Sequence, residues 1–453
     1  MKLSTQCSRC LAIVAAVVCW LPIAAGADEF DTATGAIDVT SESLDETCHD
    51  ELALPATAQF GGCCCERTKL TGDWCGRRTC WAENGLTADL DHTYFYFGIA
   101  SGGLDQHSKF GGHGDYLFNF DFGKLDVHPG LFLKVRAEHR FGETISRDTG
   151  ALLPATISPD LPIPFSEDLY VTNFLFTQAL SESFAVFAGK MDVLDGDANA
   201  FAHGRGKTQF SNLAFVGNPI ALRAVNLYST LGAGFVVMRD LQPLFTFSVL
   251  NASDTTQTIG FEDLFEKGAT LLGELRLPTN FFGLPGHQLF GAVWTSRDIV
   301  SVGQDPWVIL PNVPLARQSG AWSAYWNFDQ YLATYSDNPT LGWGVFGRWG
   351  VGDERSNPLA WFLSFGIGGN SPILGRETDT FGIGYYYGAS SDDIGPFVER
   401  LFGPIGDGQG VELFYNYQVT PWFHLTPDLQ VIDPARSNVD NSLVLGLRGK
   451  VDF

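Results

Sequence analysis

Four charged side chains alternate along one short stretch of the sequence and form its densest row of charge. The row consists of Lys134, Arg136, Glu138 and Arg140, and the residues of opposite parity include Leu131, Leu133, Val135 and Ala137. Successive side chains of a strand point to opposite sides, so an extended chain puts all four charges on one face. Guanidinium and ammonium groups donate hydrogen bonds and a carboxylate accepts them, so such a face suits a solute rich in hydroxyl groups. The alternative is that the charges pair with one another and only keep the face wet.

The same two-residue alternation continues from about His92 to Phe453 and predicts the elements that carry this row. In the last segment Leu443, Leu445, Leu447, Val451 and Phe453 share one face, and Arg448, Lys450 and Asp452 share the other. Strand candidates of about 10–12 residues with aromatic residues near their ends are typical of a membrane-spanning sheet. Backbone groups in lipid must all be paired, so this sheet must close on itself. We therefore predict an all-β fold, a transmembrane antiparallel β-barrel of about 16 strands, wide enough for a water-filled lumen. A large secreted β-rich binding protein is the alternative.

The composition excludes several classes of protein. The chain has 453 residues, with 28 Lys+Arg against 51 Asp+Glu and a formal net charge of −23. Such a charge excludes a basic nucleic-acid-binding protein, because little could neutralise a phosphate backbone. Beyond residue 27 no apolar run approaches the roughly 18–20 residues of a spanning helix, which excludes a helical membrane protein. The sequence lacks GxSxG, HExxH and Walker motifs, so it predicts neither an enzyme nor a cofactor.

The N-terminus has the pattern of an export signal. Lys2 and Arg9 precede an apolar run, and Ala25-Gly26-Ala27 is a small-x-small cleavage site, so residues 1–27 are predicted to be a signal peptide. Residues 28–69 form an acidic leader that contains cysteines. Because an exported segment favours oxidation, we expect disulfides, with the pairing left open. The candidates are Cys48, Cys63, Cys64, Cys65, Cys75 and Cys80.

Several motifs, in their order along the chain, resemble the OprB family of carbohydrate-selective porins. They are Leu70-Thr-Gly-Asp-Trp74, Phe210-Ser-Asn-Leu-Ala-Phe-Val-Gly-Asn-Pro219, Gly342-Trp-Gly-Val-Phe-Gly-Arg348 and the stretch 411–431 with Val419-Thr-Pro-Trp422. The resemblance covers roughly residues 65–453. It implies a bacterial outer-membrane channel through which small carbohydrates diffuse passively. It also implies a short periplasmic plug-like segment over residues 70–90, ahead of a barrel domain over residues 91–453. Cys75, Cys80 and the cluster at 63–65 depart from the family pattern.

Sugar passage requires a hydrophilic constriction, and inward-facing polar residues are the candidates for it. They are Lys134, Arg136, Glu138, Arg140, Asn119, Asp121, Glu274, Arg276, Arg348 and Tyr325. Ordinary wetting of a lumen explains the same residues without any binding role. A general porin for small polar solutes, without preference for sugars, is the functional alternative.

Residues 192–207 are rich in carboxylates and are predicted to be a loop that bends into the pore. Asp195, Asp197 and Asn199 have the spacing that begins a calcium loop, but Ala200 and Gly206 replace its glycine and glutamate, so only a weak Ca²⁺ site is considered. The expected partners are small sugars, outer-membrane lipid and the barrel assembly machinery. The sequence is compatible with a monomer and with a homotrimer.

Overall fold

Sixteen antiparallel strands close into one barrel in the computed structural model, which describes residues 60–225, 227–304, 314–335 and 338–453. Each strand pairs with its neighbours in the chain, and β1 pairs with β16 to close the sheet. The strands are β1 Leu86–Ser101, β2 Ser108–Asp121, β3 Leu131–Gly142, β4 Tyr170–Ser181, β5 Phe184–Asp192, β6 Ser229–Arg239, β7 Gln242–Asn251, β8 Ala269–Phe281, β9 Leu284–Val300, β10 Arg317–Tyr335, β11 Asn338–Gly352, β12 Leu359–Asn370, β13 Thr380–Ser390, β14 Gly408–Thr420, β15 Phe423–Asp433 and β16 Ser442–Asp452. The predicted barrel of about 16 strands is confirmed.

The helices are short and are not part of the barrel wall. They are α1 Arg77–Glu83, α2 Leu213–Val216, α3 Pro219–Val225 and α4 Pro396–Phe402. Among the described residues, no helix is both long and apolar enough to cross a membrane. The predicted signal peptide, most of the predicted leader and Cys48 lie outside the described residues. The first strand begins at Leu86, inside the stretch predicted as the plug-like segment.

The two ends of the barrel differ in the length of their connections. Turns such as 182–183 and 240–241 join strands at one end, whereas segments such as 143–169 and 193–228 join them at the other. Leu86 and Phe453 both lie at the end with the short turns. In outer-membrane barrels short turns face the periplasm and long loops face the exterior. The loop end of this barrel is therefore the extracellular mouth.

The alternation predicted from the sequence separates the two faces of the wall. On β10, Trp322 and Trp326 are exposed on the outside, and the residues that follow them, Ser323 and Asn327, are buried inside. On β14, Leu413 is exposed whereas its neighbour Glu412 is fully buried. An outer band of large apolar side chains is what hydrocarbon requires, because cations at mid-bilayer on this face would cost about 2–4 kcal/mol each.

The segment before β1 packs under the seam where the barrel closes. The Arg78 guanidinium donates hydrogen bonds to the carbonyl of Ala88, at 2.8 Å, and to that of Phe453, at 2.7 Å. It also lies over the Trp74 ring, 4.7 Å from its centroid. The indole Nε1 of Trp422 donates to the carbonyl of Cys64 at 2.6 Å. These contacts tie the N-terminal segment to both the first and the last strands.

The cysteines of this segment differ in state. Cys65 and Cys80 are each disulfide-bonded. Cys63, Cys64 and Cys75 are free thiols, and Cys63 and Cys75 are exposed. Oxidation of Cys65 and Cys80 agrees with the sequence-based expectation, whereas the free thiols at Cys63, Cys64 and Cys75 differ from it. Cys75 lies in a left-handed turn with φ +61°, just before α1, where its side chain faces solvent.

Candidate functional site

The connection between β5 and β6 lies inside the barrel. We call residues 193–228 the lumen segment; it contains α2 and α3. Its Asp197 contacts Arg348 of β11, its Lys207 contacts Asp91 of β1, and the Ser211 amide donates to Glu412 of β14. Because these strands lie on different sides of the barrel, the segment crosses the lumen.

One side of the lumen segment is held by an apolar core. Phe201, Phe210 and Phe215 pack against inward-facing side chains of β11–β14, namely Phe346, Phe362, Tyr386 and Phe414. The phenyl rings of Phe210 and Phe215 lie only 4.5 Å apart between their centroids. Glycine on β13 makes room for them: a Cβ on Gly384 would lie 2.5 Å from the ring of Phe215. This side of the lumen is filled and cannot conduct a solute.

Buried polar contacts fix the segment beside that core. The Arg348 guanidinium, which has no exposed side-chain surface, is 2.7 Å from a carboxylate oxygen of Asp197 and donates to the carbonyls of Phe215 and Ala202. Asn327 donates to the Asp197 carboxylate at 2.7 Å. Arg448 of β16 donates to the carbonyls of Gly206 and Gln209. Burial of a guanidinium costs free energy unless its N–H groups donate hydrogen bonds, so these contacts hold the backbone of the segment in place.

A network of charges holds the segment to β1–β5. Arg205 donates to Glu138 and to Asp192 at 2.9 Å each, to Tyr228 at 2.7 Å, and to Asp195 at 3.2 Å. Its backbone has φ +53°, a conformation that is uncommon for a residue with a side chain. Such strain persists where surrounding contacts impose it, and four hydrogen bonds of the guanidinium do so here.

Arg136 and Lys207 extend this network toward the first two strands. Arg136 binds Asp192 at 2.9 Å and Asp195 at 3.1 Å. The Lys207 ammonium lies between Asp91 and Asp115, 2.8 Å from each carboxylate. Cations and carboxylates therefore alternate between the lumen segment and strands β1–β5, so that little net charge remains buried between them.

The pKa directions of the segment's own residues follow from these neighbours. Partial desolvation alone would raise the pKa of Asp195, but Lys134, Arg136 and Arg205 outweigh it and hold that pKa well below its usual value. Burial likewise opposes the charge of Lys207, yet Asp91 and Asp115 raise the pKa of its ammonium. Both residues therefore stay charged at neutral pH, and the network persists.

The structure divides the sequence-predicted residues into supports and accessible groups. The supports contact the lumen segment or its partners; they are Arg136, Glu138, Arg348, Glu274 and Tyr325. The hydroxyl of Tyr325 donates to Glu274, which also accepts from the amide of Asp197. Arg140 is buried and donates to the carbonyl of Pro159 in the loop after β3. Asp121 accepts from the amides of Gly123 and Lys124 in a periplasmic turn. Lys134, Asn119 and Arg276 are partly accessible.

Three residues of this site, Asp91, Asp115 and Tyr228, were not selected from the sequence. The predicted loop at residues 192–207 contains Asp192, Arg205 and Lys207, but they were not among the constriction candidates. Their signal was His203-Gly-Arg205-Gly-Lys207, two cations separated by one glycine and following three carboxylates. Their wall partners give no such signal, because pairing across the lumen depends on the path of the segment.

The predicted calcium loop does not bring its side chains together. Asp195 pairs with Lys134, Arg136 and Arg205. Asp197 pairs with Arg348, and Asn199 donates to Asn327. Within the described part of the chain, no group of three or more His, Cys, Asp or Glu side chains could hold a metal ion. The carboxylates of this loop are engaged by cations of the protein.

Comparisons with known proteins agree with this architecture. The model of the carbohydrate-selective porins, OprB family, matches residues 109–453. Porin B of Pseudomonas aeruginosa is 24% identical over 429 residues, which cover 85% of this chain and 91% of that protein. A putative porin of Acinetobacter baylyi, QuiX, is 27% identical over 209 residues, covering 41% of this chain and 45% of that protein. The high-pH structure of Pseudomonas putida OprB superposes with a TM-score of 0.73 at 21% identity, covering 86% of this chain and 99% of that one.

Proposed function

Because the chain belongs to the OprB family of carbohydrate-selective porins and is an outer-membrane sugar channel, we propose a specific route for the sugar. Small carbohydrates diffuse past a constriction lined by Lys134, Asp195 and Arg276. This constriction lies beside β3–β8, because apolar cores fill the lumen next to β11–β14, next to β1 and next to β9.

The accessible part of the charge network supports this route. The side chains of Lys134 and Asp195 form an ion pair and are 27% and 39% exposed, whereas Arg136 behind them is 8% exposed and Asp192 is fully buried. A passing solute can therefore reach the Lys134–Asp195 pair but not the groups behind it. The buried groups act as supports that fix the position of Asp195.

Arg276 of β8 is the observation that carries the proposal. It is half-buried on the inward face, so part of its side chain is open to the lumen, and its Nε atom is buried without a hydrogen-bond partner among the described residues. Two residues earlier, Glu274 borders the lumen segment: a Cβ on Gly196 would lie 3.3 Å from its carboxylate. Two residues of a strand span roughly 6.6 Å, so Arg276 and Asp195 border the same part of the lumen.

The chemistry of these groups suits hydroxyl-rich solutes. A sugar hydroxyl donates to the Asp195 carboxylate and accepts from the Lys134 ammonium or the Arg276 guanidinium. Each contact replaces a contact with water, so the net gain is small. Weak binding is required of a channel, because a solute must leave as readily as it enters.

The proposal is tested by sugar block of the ion current in planar bilayers. Arg276→Gln and Lys134→Gln are expected to weaken block by glucose and maltotriose about fivefold, the loss of about 1 kcal/mol that one exposed, charge-assisted hydrogen bond contributes. Arg239→Gln and Lys124→Gln, exposed residues of the short turns, are the matched controls. If all four variants block like the parent protein, the constriction lies elsewhere.

We also infer that passage involves no catalysis. The buried lumen carboxylates Glu138 and Asp192 are each bound by a guanidinium, an arrangement that serves to hold the segment. Purified protein incubated with maltotriose is expected to leave it intact by mass spectrometry; shortened products would contradict this. The outer band of tryptophan, phenylalanine and leucine supports contact with membrane lipid and insertion by the barrel assembly machinery.

A further inference from the structure

A basic cavity lies at the loop end of the barrel, apart from the constriction. It has a volume of about 800 Å³, which is within the usual range for sites that bind small molecules. Its lining includes α3 of the lumen segment, the end of the β7–β8 loop and the facing ends of β9 and β10. The charged lining residues are Arg223, Lys267, Arg297, Arg317, Glu266 and Asp298. Four cations therefore face two carboxylates, in a chain whose net charge is −23.

The cations of this cavity differ from those of the lumen in how they are satisfied. Arg136, Arg205 and Lys207 each lie within 3.2 Å of a carboxylate. Arg297 donates to the carbonyl of Ala252 at 3.4 Å, and Arg317 donates to that of Asp298 at 3.5 Å. In the part of the chain that the structure describes, neither guanidinium has a carboxylate within 4.0 Å. Most of their donors therefore stay available.

We propose that this cavity binds the anionic group of an acidic carbohydrate, a sugar carrying a carboxylate or a phosphate, before it enters the lumen. Guanidinium groups bind such anions with two parallel hydrogen bonds. Glu266 and Asp298 then accept hydrogen bonds from the ring hydroxyls. The site extends the proposed function, on which it rests, from neutral to acidic sugars.

The cavity places positive charge at the extracellular mouth, where a solute enters the barrel. An anionic protein repels anionic solutes at long range, and a patch of positive charge at the mouth reverses this locally. Acidic sugars are thereby concentrated where the route begins. Beyond the mouth the cations of the lumen are already paired with carboxylates of the protein. They therefore do not retain an anionic sugar that has left the cavity.

The experiment compares glucuronate with glucose, which differ in the group at C6, in bilayers of synthetic phosphatidylcholine. Glucuronate is expected to block the ion current at about tenfold lower concentration than glucose at 0.1 M salt, and at 1 M salt this advantage is expected to disappear because the charges are screened. The double variant Arg297→Gln, Arg317→Gln should lose the advantage and keep block by glucose. Lys267→Gln, at an exposed position that folding tolerates, should lose part of it. Arg355→Gln, which removes a cation from the loop between β11 and β12 outside the cavity, should keep it.

Measurements with glucose 6-phosphate and with lipid A distinguish a soluble acidic sugar from a lipid headgroup as the ligand of the cavity. Block by glucose 6-phosphate that depends on Arg297 and Arg317 supports a soluble sugar, as the glucuronate result does. Binding of lipid A alone, with glucuronate no better than glucose, would overturn the proposal and assign the cavity to a lipid headgroup. If glucose does not block the parent protein at all, the result counts against the proposed function. The preference of the mouth for anions would still be measured from the reversal potential of the ion current.

Discussion

Replacement of Arg205 by glutamine tests whether the lumen segment is held by its charges. The parent guanidinium makes hydrogen bonds to Glu138, Tyr228, Asp192 and Asp195, and the side chains of Glu138 and Asp192 have no exposed surface. Removing one partner of a buried pair typically costs about 3–5 kcal/mol. Asp192 keeps Arg136, whereas the buried Glu138 carboxylate loses its guanidinium partner. At about 1.4 kcal/mol per factor of ten, the docked state loses at least about a hundredfold in its equilibrium.

The loss is expected to be local. The phenylalanine core, Arg348 and Arg448 still anchor the segment on the opposite side, so the barrel should assemble and migrate on a gel as a folded species. The backbone around residue 205 should loosen from β3 and β5 and widen the route, while Gly206 and Gln209 stay bound to Arg448. Single-channel conductance should rise, and block by glucose and maltotriose should weaken.

Arg239→Gln is the matched control, because Arg239 is 70% exposed at a periplasmic turn and lies 4.0 Å from its only acidic neighbour among the described residues, Asp240. It should leave conductance and block unchanged. A folded Arg205→Gln protein with the parent conductance and sugar block would refute the assignment of Arg205 as the anchor.

Two further predictions concern the loop end and the C-terminus. Burial raises the pKa of Asp160 to about 6, so the folded protein retains a proton that the unfolded chain releases near 3.9, and stability is lost as the pH rises from about 4 to 6. Asp160→Asn should therefore stabilise the protein by about 2 kcal/mol at pH 8 and have little effect at pH 3.5, measured by thermal unfolding in detergent; equal effects at both pH values would contradict this. Deletion of Phe453, whose amide donates to Leu90 and whose ring lies 5.3 Å from that of His92, should reduce outer-membrane assembly far more than Asp452→Asn, and equal yields would contradict it.

The wall of the barrel was predictable from the sequence because each strand satisfies a local rule. Lipid outside and water inside impose an alternation on every strand, and β3 and β16 show it residue by residue. The same rule placed Lys134, Arg136 and Glu138 on one inward face. It could not distinguish the exposed Lys134 from the buried Arg136, because burial inside a wide barrel depends on what else enters the lumen.

The path of the lumen segment was not predictable in the same way. Its composition indicated a loop at residues 192–207, but its anchors belong to strands more than 100 residues away in the sequence, such as Asp91 and Arg348. Phe346 and Phe414 are apolar but face the lumen, where the alternation predicts polar side chains. Their partners Phe210 and Phe215 come from a stretch without strand periodicity. Only the three-dimensional path shows that they form a core.

The hydrogen bonds of Arg448 couple the closing strand of the wall to the interior. This residue belongs to β16, one of the two strands that form the seam, and its guanidinium donates to the carbonyls of Gly206 and Gln209 in the lumen segment. Without the segment this side chain would face lumen water, whereas with the segment docked it is fully buried. The docked segment and the strand that closes the barrel therefore hold each other in position.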